Sequence, residues 1–84
     1  VIKEELLARN MSANQLAREL GVAANRISEI IRGRRRVTAE TALRLATFFG
    51  NSPEFWLRLQ MNHDLGHAAA EHGKEIKRAV HRAA

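Results

Sequence analysis

An all-α domain of five short helices, with or without an extra helix at its C-terminal end, is what this sequence predicts. Three observations carry that reading. Apolar residues recur at three- and four-residue steps through most of the 84-residue chain. No stretch alternates in the manner of a strand. Ser12, Thr38 and Ser52 stand where helices need N-caps, while Gly21, Gly33 and Gly50 stand where helices end.

The elements follow in order. Helix one spans about Ile2–Arg9, with Ile2, Leu6 and, at the margin, Leu7 facing inward. Asn10 and Met11 lead to helix two, about Ala13–Leu20. Ser12 caps it, and Gln15 at the third helical position completes a capping box. Leu16, Ala17 and Leu20 share one face, and the small Ala17 lets the next helix approach closely. Gly21 supplies the positive φ that a chain leaving a helix commonly needs. Helix three runs from about Ala23 to Arg32, buries Ile27, Ile30 and Ile31, and is closed by Gly33. Thr38 caps helix four, and Glu40 sits in its first turn, where the helix dipole favours an acid. Ala42, Leu45, Ala46 and Phe49 form its apolar stripe before Gly50. Ser52-Pro53-Glu54 opens helix five with a cap, a proline at the first helical position and an acid. That helix carries Phe55, Trp56, Leu57 and Leu59 and is expected to end near residue 62.

Residues 63–84 form a basic C-terminal extension, set apart from the domain at 1–62. Leu65, Ala69, His72, Ile76, Val80 and Ala83 recur at helical steps, which suits a helix with a thin apolar seam. Gly66 and Gly73 each cost such a helix about 1 kcal/mol against alanine. A partly ordered tail fits the same residues equally well.

Within the domain, residues 12–33 read as two short helices around one glycine turn, and three arginines follow at 34–36. That arrangement suits a helix-turn-helix docked on DNA. The composition agrees. Lys and Arg number 14 against 9 Asp and Glu, a net charge of +5 that favours polyanionic partners. A charge run by itself is as easily a solvated loop; directly after a helix-turn-helix it points to nucleic acid.

In such a motif the N-terminal end of the second helix meets base edges. Ala23, Ala24, Asn25, Arg26 and Ser28 are the candidate readers. Asn25 can bond adenine bidentately, Arg26 can bond guanine, and the alanine methyls can meet thymine methyls. Glu29 can accept from cytosine, but pairing with Arg26 or Arg32 within the helix is the preferred reading. Arg32, Arg34, Arg35 and Arg36 are candidate phosphate contacts. Ser12 joins them, with the free N–H groups that open helix two. Two reading helices about 34 Å apart match one turn of a palindrome, the physical reason to expect a homodimer. Phe55 and Leu59, four residues apart, are the candidate dimer stripe, while Trp56 suits the core.

Other classes lack support. There are no cysteines, hence no disulfide and no thiolate metal site. His63 and His67 share a helical spacing but have no third ligand, so no metal or other cofactor is expected. No catalytic set or phosphate-cradling loop stands out, so an enzyme is not expected. No apolar run reaches membrane-spanning length and no signal-peptide pattern appears, so the default location is cytoplasmic. The chain starts at Val1 instead of Met, which reads as a trimmed or partial N-terminus.

Leu16-Ala17, Leu20-Gly21-Val22, Ile27-Ser28 and Gly33 resemble the Cro and phage-repressor class of helix-turn-helix domains, over about residues 1–50. Thr38-Ala39-Glu40-Thr41-Ala42, then Ser52-Pro53-Glu54-Phe55-Trp56-Leu57-Arg58-Leu59-Gln60 and Asp64-Leu65, resemble HigA-type antitoxins over about residues 1–65. The resemblance implies a dimeric antitoxin that represses its own operon and neutralises a RelE-like, ribosome-dependent mRNA interferase. No toxin-binding residue carries over, and the tail after Leu65 matches no family motif. A stand-alone transcriptional regulator of the Cro class, without a toxin partner, is the alternative.

Overall fold

The computed structural model describes residues 1–83. It contains α1 (Ile2–Ala8), α2 (Ala13–Leu20), α3 (Ala24–Ile31), α4 (Ala39–Phe49) and α5 (Pro53–Ala79), and no strand among the described residues. The local chemistry sets most of the boundaries. Ser12 Oγ accepts from the Gln15 N–H at 3.1 Å, and Gln15 Oε1 accepts from the Ser12 N–H at 2.7 Å, forming both halves of the capping box. Thr38 and Ser52 accept from Thr41 N–H and Phe55 N–H in the same manner. Gly21 and Gly50 leave their helices in the left-handed region, at φ 71° and 74°.

The core lies where α1, α2, α3, α4 and the first turn of α5 meet. Leu16, Ile27, Leu45 and Trp56 are its largest fully enclosed side chains. Ala17 and Ala42 are buried among them, and their small size permits the close helix approaches. The indole N–H of Trp56 would be costly to enclose without a partner, and it donates to Asn51 Oδ1 at 2.8 Å. Phe49 packs against Trp56 with ring centroids 5.4 Å apart.

Three expectations are corrected. Leu7 is 74% exposed, because α1 uses only Ile2 and Leu6 against the body. Ile31 is 37% exposed, so α3 is anchored through the fully buried Ile27 and the half-buried Ile30, which packs against the core. The expected end of helix five near residue 62 is not a boundary: α5 runs unbroken for 27 residues. The extension is therefore helical through Ala79, as a continuation of α5 and not as a sixth helix, and residues 80–83 leave the helix.

That continuation shapes the molecule. An α-helix rises about 1.5 Å per residue, so α5 is about 40 Å long. Its distal half projects from the body, giving extents of 51 × 22 × 22 Å and a radius of gyration of 16.1 Å. A compact chain of this length would have a radius near 12 Å (about 2.2·N^0.38). The projecting half has no core beneath it. His67 Nε2 lies 3.0 Å from Glu71 Oε1 one turn later, and Lys77 and Arg78 complement the dipole in the last turn.

Candidate nucleic-acid interface

The second helix of the motif, α3, is tethered at its centre by Ile27 and open at its N-terminal end. Ala23 is the N-cap residue and has no side-chain acceptor to offer the first helical N–H groups. Ala23, Ala24 and Asn25 are exposed together there. The result is a small-sided end that can approach a groove closely, with one amide projecting from it. Ser28 is half-buried, and its hydroxyl donates to the Asn25 carbonyl at 3.0 Å. Its oxygen retains only acceptor capacity toward a base.

Arg26 does not join this open end. Its guanidinium turns toward α4 and lies 3.7 Å from Glu40. Its Nε is buried without a hydrogen-bond partner. Glu40 also contacts Arg44 Nε at 3.5 Å, and Arg44 donates from Nη1 to the Leu20 carbonyl at 2.7 Å. Glu40 and Arg44 therefore clamp the end of α2, the glycine turn and the flank of α3. The expected pairing of Glu29 within its own helix is corrected as well. Glu29 Oε1 lies 3.1 Å from Arg35, beyond the end of α3, as a charge contact without hydrogen-bond alignment.

The arginine loop divides in two. Arg32 and Arg34 are exposed and have no acidic partner among the described residues. Arg35 is held by Glu29, and Arg36 is held by Asp64 of α5. Ser12 is exposed, but its backbone N–H is already committed to Gln15. The structure thus gathers Ala23, Ala24 and Asn25 at one exposed end, and leaves Arg32 and Arg34 as the free cations of the loop.

Phe55 is exposed, with its ring edge-on to Trp56 at a centroid distance of 5.1 Å. Leu59 is half-buried and packs against the core. Leu57, Met61, Leu65 and Ile76 are exposed farther along α5, separated by multiples of about one turn. His63 and His67 stack with ring centroids 6.3 Å apart. Among the described residues, no three His, Cys, Asp or Glu side chains cluster to hold a metal. Among the described residues, no helix is long and apolar enough to cross a membrane.

Four residues of this region lay outside the sequence-based set: Glu40, Arg44, Gln60 and Asp64. Their i, i+4 spacing as two pairs was visible. Their partners, 14 to 28 residues away along the chain, were not.

A capped helix, a left-handed glycine turn and a second helix offered by its N-terminal end define a helix-turn-helix protein. The helix-turn-helix family model HTH_3 matches residues 2–56. Virulence-associated protein I of Dichelobacter nodosus is 44% identical over 66 residues, which cover 77% of this chain and 61% of that protein's length. An addiction module antidote protein of the HigA family from Coxiella burnetii has 47% identity and a TM-score of 0.90, with 96% of this chain and 88% of that one covered. The Pseudomonas aeruginosa antitoxin HigA, solved with the higBA promoter, has 34% identity and a TM-score of 0.91 over the same shares. The chain belongs to the HigA family of XRE-type helix-turn-helix proteins.

Proposed function

We propose that this chain is a sequence-specific DNA-binding antitoxin that represses its own operon as a homodimer and neutralises a RelE-like mRNA interferase. The observation that carries the DNA-binding part is the open end of α3. Ala23, Ala24 and Asn25 are exposed at its N-terminal end, and the exposed Arg32 and Arg34, without acidic partners among the described residues, follow its C-terminal end. A side-chain amide in the major groove reads adenine, and cations on the following loop hold phosphate without selecting sequence. Promoter binding by a P. aeruginosa relative of the same fold supports this reading.

Dimerisation would join two such ends across one turn of duplex, about 34 Å. Leu57, Met61 and Leu65 of α5, exposed one turn apart, with Phe55 exposed on another side of the helix, are a candidate surface for it. The toxin-neutralising role rests on the family alone, and no residue is assigned to it. The protein performs no chemistry in this reading and needs no cofactor.

Selection of duplexes from a random pool tests it, with wild type and Asn25→Ala at two salt concentrations. The expected result is a palindrome with half-sites about one turn apart, and loss of about 1–3 kcal/mol of discrimination at one base pair in the variant. Salt-sensitive binding without enrichment would remove the reading role of α3. For the toxin, co-expression with a RelE-like protein encoded beside this gene should relieve growth arrest. Persistent arrest would leave a regulator without that partner.

A further inference from the structure

The loop that follows α3 is not free at its far end. Gln60 Oε1 accepts from the Val37 N–H at 2.8 Å, and Gln60 Nε2 donates to Asp64 Oδ1 at 2.9 Å. The other carboxylate oxygen of Asp64 holds the Arg36 guanidinium. Two consecutive loop residues are thus bound by two α5 residues one turn apart. The orientation of the Gln60 amide is dictated by its neighbours. Reversed, it would set two donors together at Val37 and two acceptors together at Asp64.

We infer that Gln60 and Asp64 are positioning residues for DNA binding, and that Arg36 is the tether through which α5 fixes the arginine loop, not a phosphate ligand. The proposal rests on the DNA-binding reading above. Its logic is one of competing partners. A phosphate that took Arg36 would strip Asp64 of its cation and leave a carboxylate facing the DNA backbone. Arg34 and Arg36 are both exposed, so its pairing sets Arg36 apart; Arg34, with no acidic partner among the described residues, carries no such penalty. The loop therefore meets the backbone through Arg34, in a conformation set by α5. This also gives the Gln60 and Asp64 positions a physical role: they couple the helix available for dimerisation to the loop beside the reading helix.

The test compares wild type, Arg34→Gln, Arg36→Gln, Asp64→Asn and Gln60→Leu on a duplex enriched from the random pool. Each phosphate contact contributes about 0.9 to the slope of log K against log salt. Arg34→Gln should lower that slope by about one. Arg36→Gln should weaken binding while keeping the wild-type slope. Asp64→Asn should weaken binding severalfold although it removes a negative charge, because the tether is lost. Tighter binding by Asp64→Asn, or a slope reduced by one in Arg36→Gln, would overturn the proposal.

A second readout is independent of DNA. Hydrogen exchange at the Val37 amide should be slow in wild type and accelerate about tenfold in Gln60→Leu, the equivalent of one modest hydrogen bond. Fast exchange in wild type would also overturn the tether. Absence of operator binding by wild type, with Val37 protected, would instead refute the DNA-binding reading and leave the loop's attachment to α5 standing.

Discussion

Replacing Gly21 by alanine tests the clamp at the helix-turn-helix corner. Gly21 and Gly50 have nearly the same backbone, φ 71° and 74°, so alanine costs about 1–2 kcal/mol at either from conformation alone. Their surroundings differ. A Cβ on Gly50 meets nothing within 4 Å, whereas one on Gly21 comes within 3.3 Å of Arg44 Nη1. That nitrogen donates to the Leu20 carbonyl at 2.7 Å. A buried hydrogen bond from a charged donor is worth about 1.5–3 kcal/mol, and the partial exposure of Arg44 reduces this to about 1 kcal/mol. Gly21→Ala should therefore be more destabilising than Gly50→Ala by about 1 kcal/mol, or about 4–8 °C in Tm for a domain of this size. Urea denaturation of both variants, repeated in an Arg44→Ala background, isolates the term. The difference should vanish once Arg44 is gone. Equal losses at the two glycines, or a difference that survives Arg44→Ala, would refute the reasoning.

Three further outcomes follow from the same geometry. Glu40→Gln releases Arg26 from α4, so operator binding should tighten and its salt slope should steepen by about one phosphate contact. An unchanged slope would mean that Arg26 stays on the protein. Gly66→Ala and Gly73→Ala should each add up to about 1 kcal/mol to α5, since a Cβ at either meets nothing within 4 Å. Far-ultraviolet circular dichroism would show the gain, and a loss of helicity would reveal a close neighbour at these glycines. Leu65→Glu, at a position 62% exposed, should leave the melting of the monomer unchanged but lower the mass in sedimentation equilibrium from dimer to monomer. A persistent dimer would place the interface elsewhere.

Much of this molecule was legible because the forces concerned are local. Ser12, Thr38 and Ser52 each bond a backbone N–H three residues on, so the caps can be read from short words of sequence. Gly21 and Gly50 are equally local. The burial of Leu16, Ile27, Leu45 and Trp56 follows from helical periodicity. Periodicity failed for Ile31 and Leu7, whose spacing suits burial but whose helices turn those positions outward. Past residue 62 it marked a helical seam but not its continuity with α5. There the apolar signal fades because the body ends, yet nothing in the sequence stops the helix: two glycines cost about 1 kcal/mol each, and no proline intervenes.

The candidate site divides along the same line. The sequence alone determined a helix-turn-helix with an amide and two alanines at the open end of its second helix, followed by a basic loop. Only the packing of α4 and α5 decided which cations remain free. Arg26 chose Glu40, fourteen residues away, over Glu29 on its own helix, and Arg36 went to Asp64. Caps and turns depend on atoms within about one helical turn, so the chain specifies them before it folds. A charged side chain instead takes the partner that folding brings within about 4 Å, and the assembled helices set that distance.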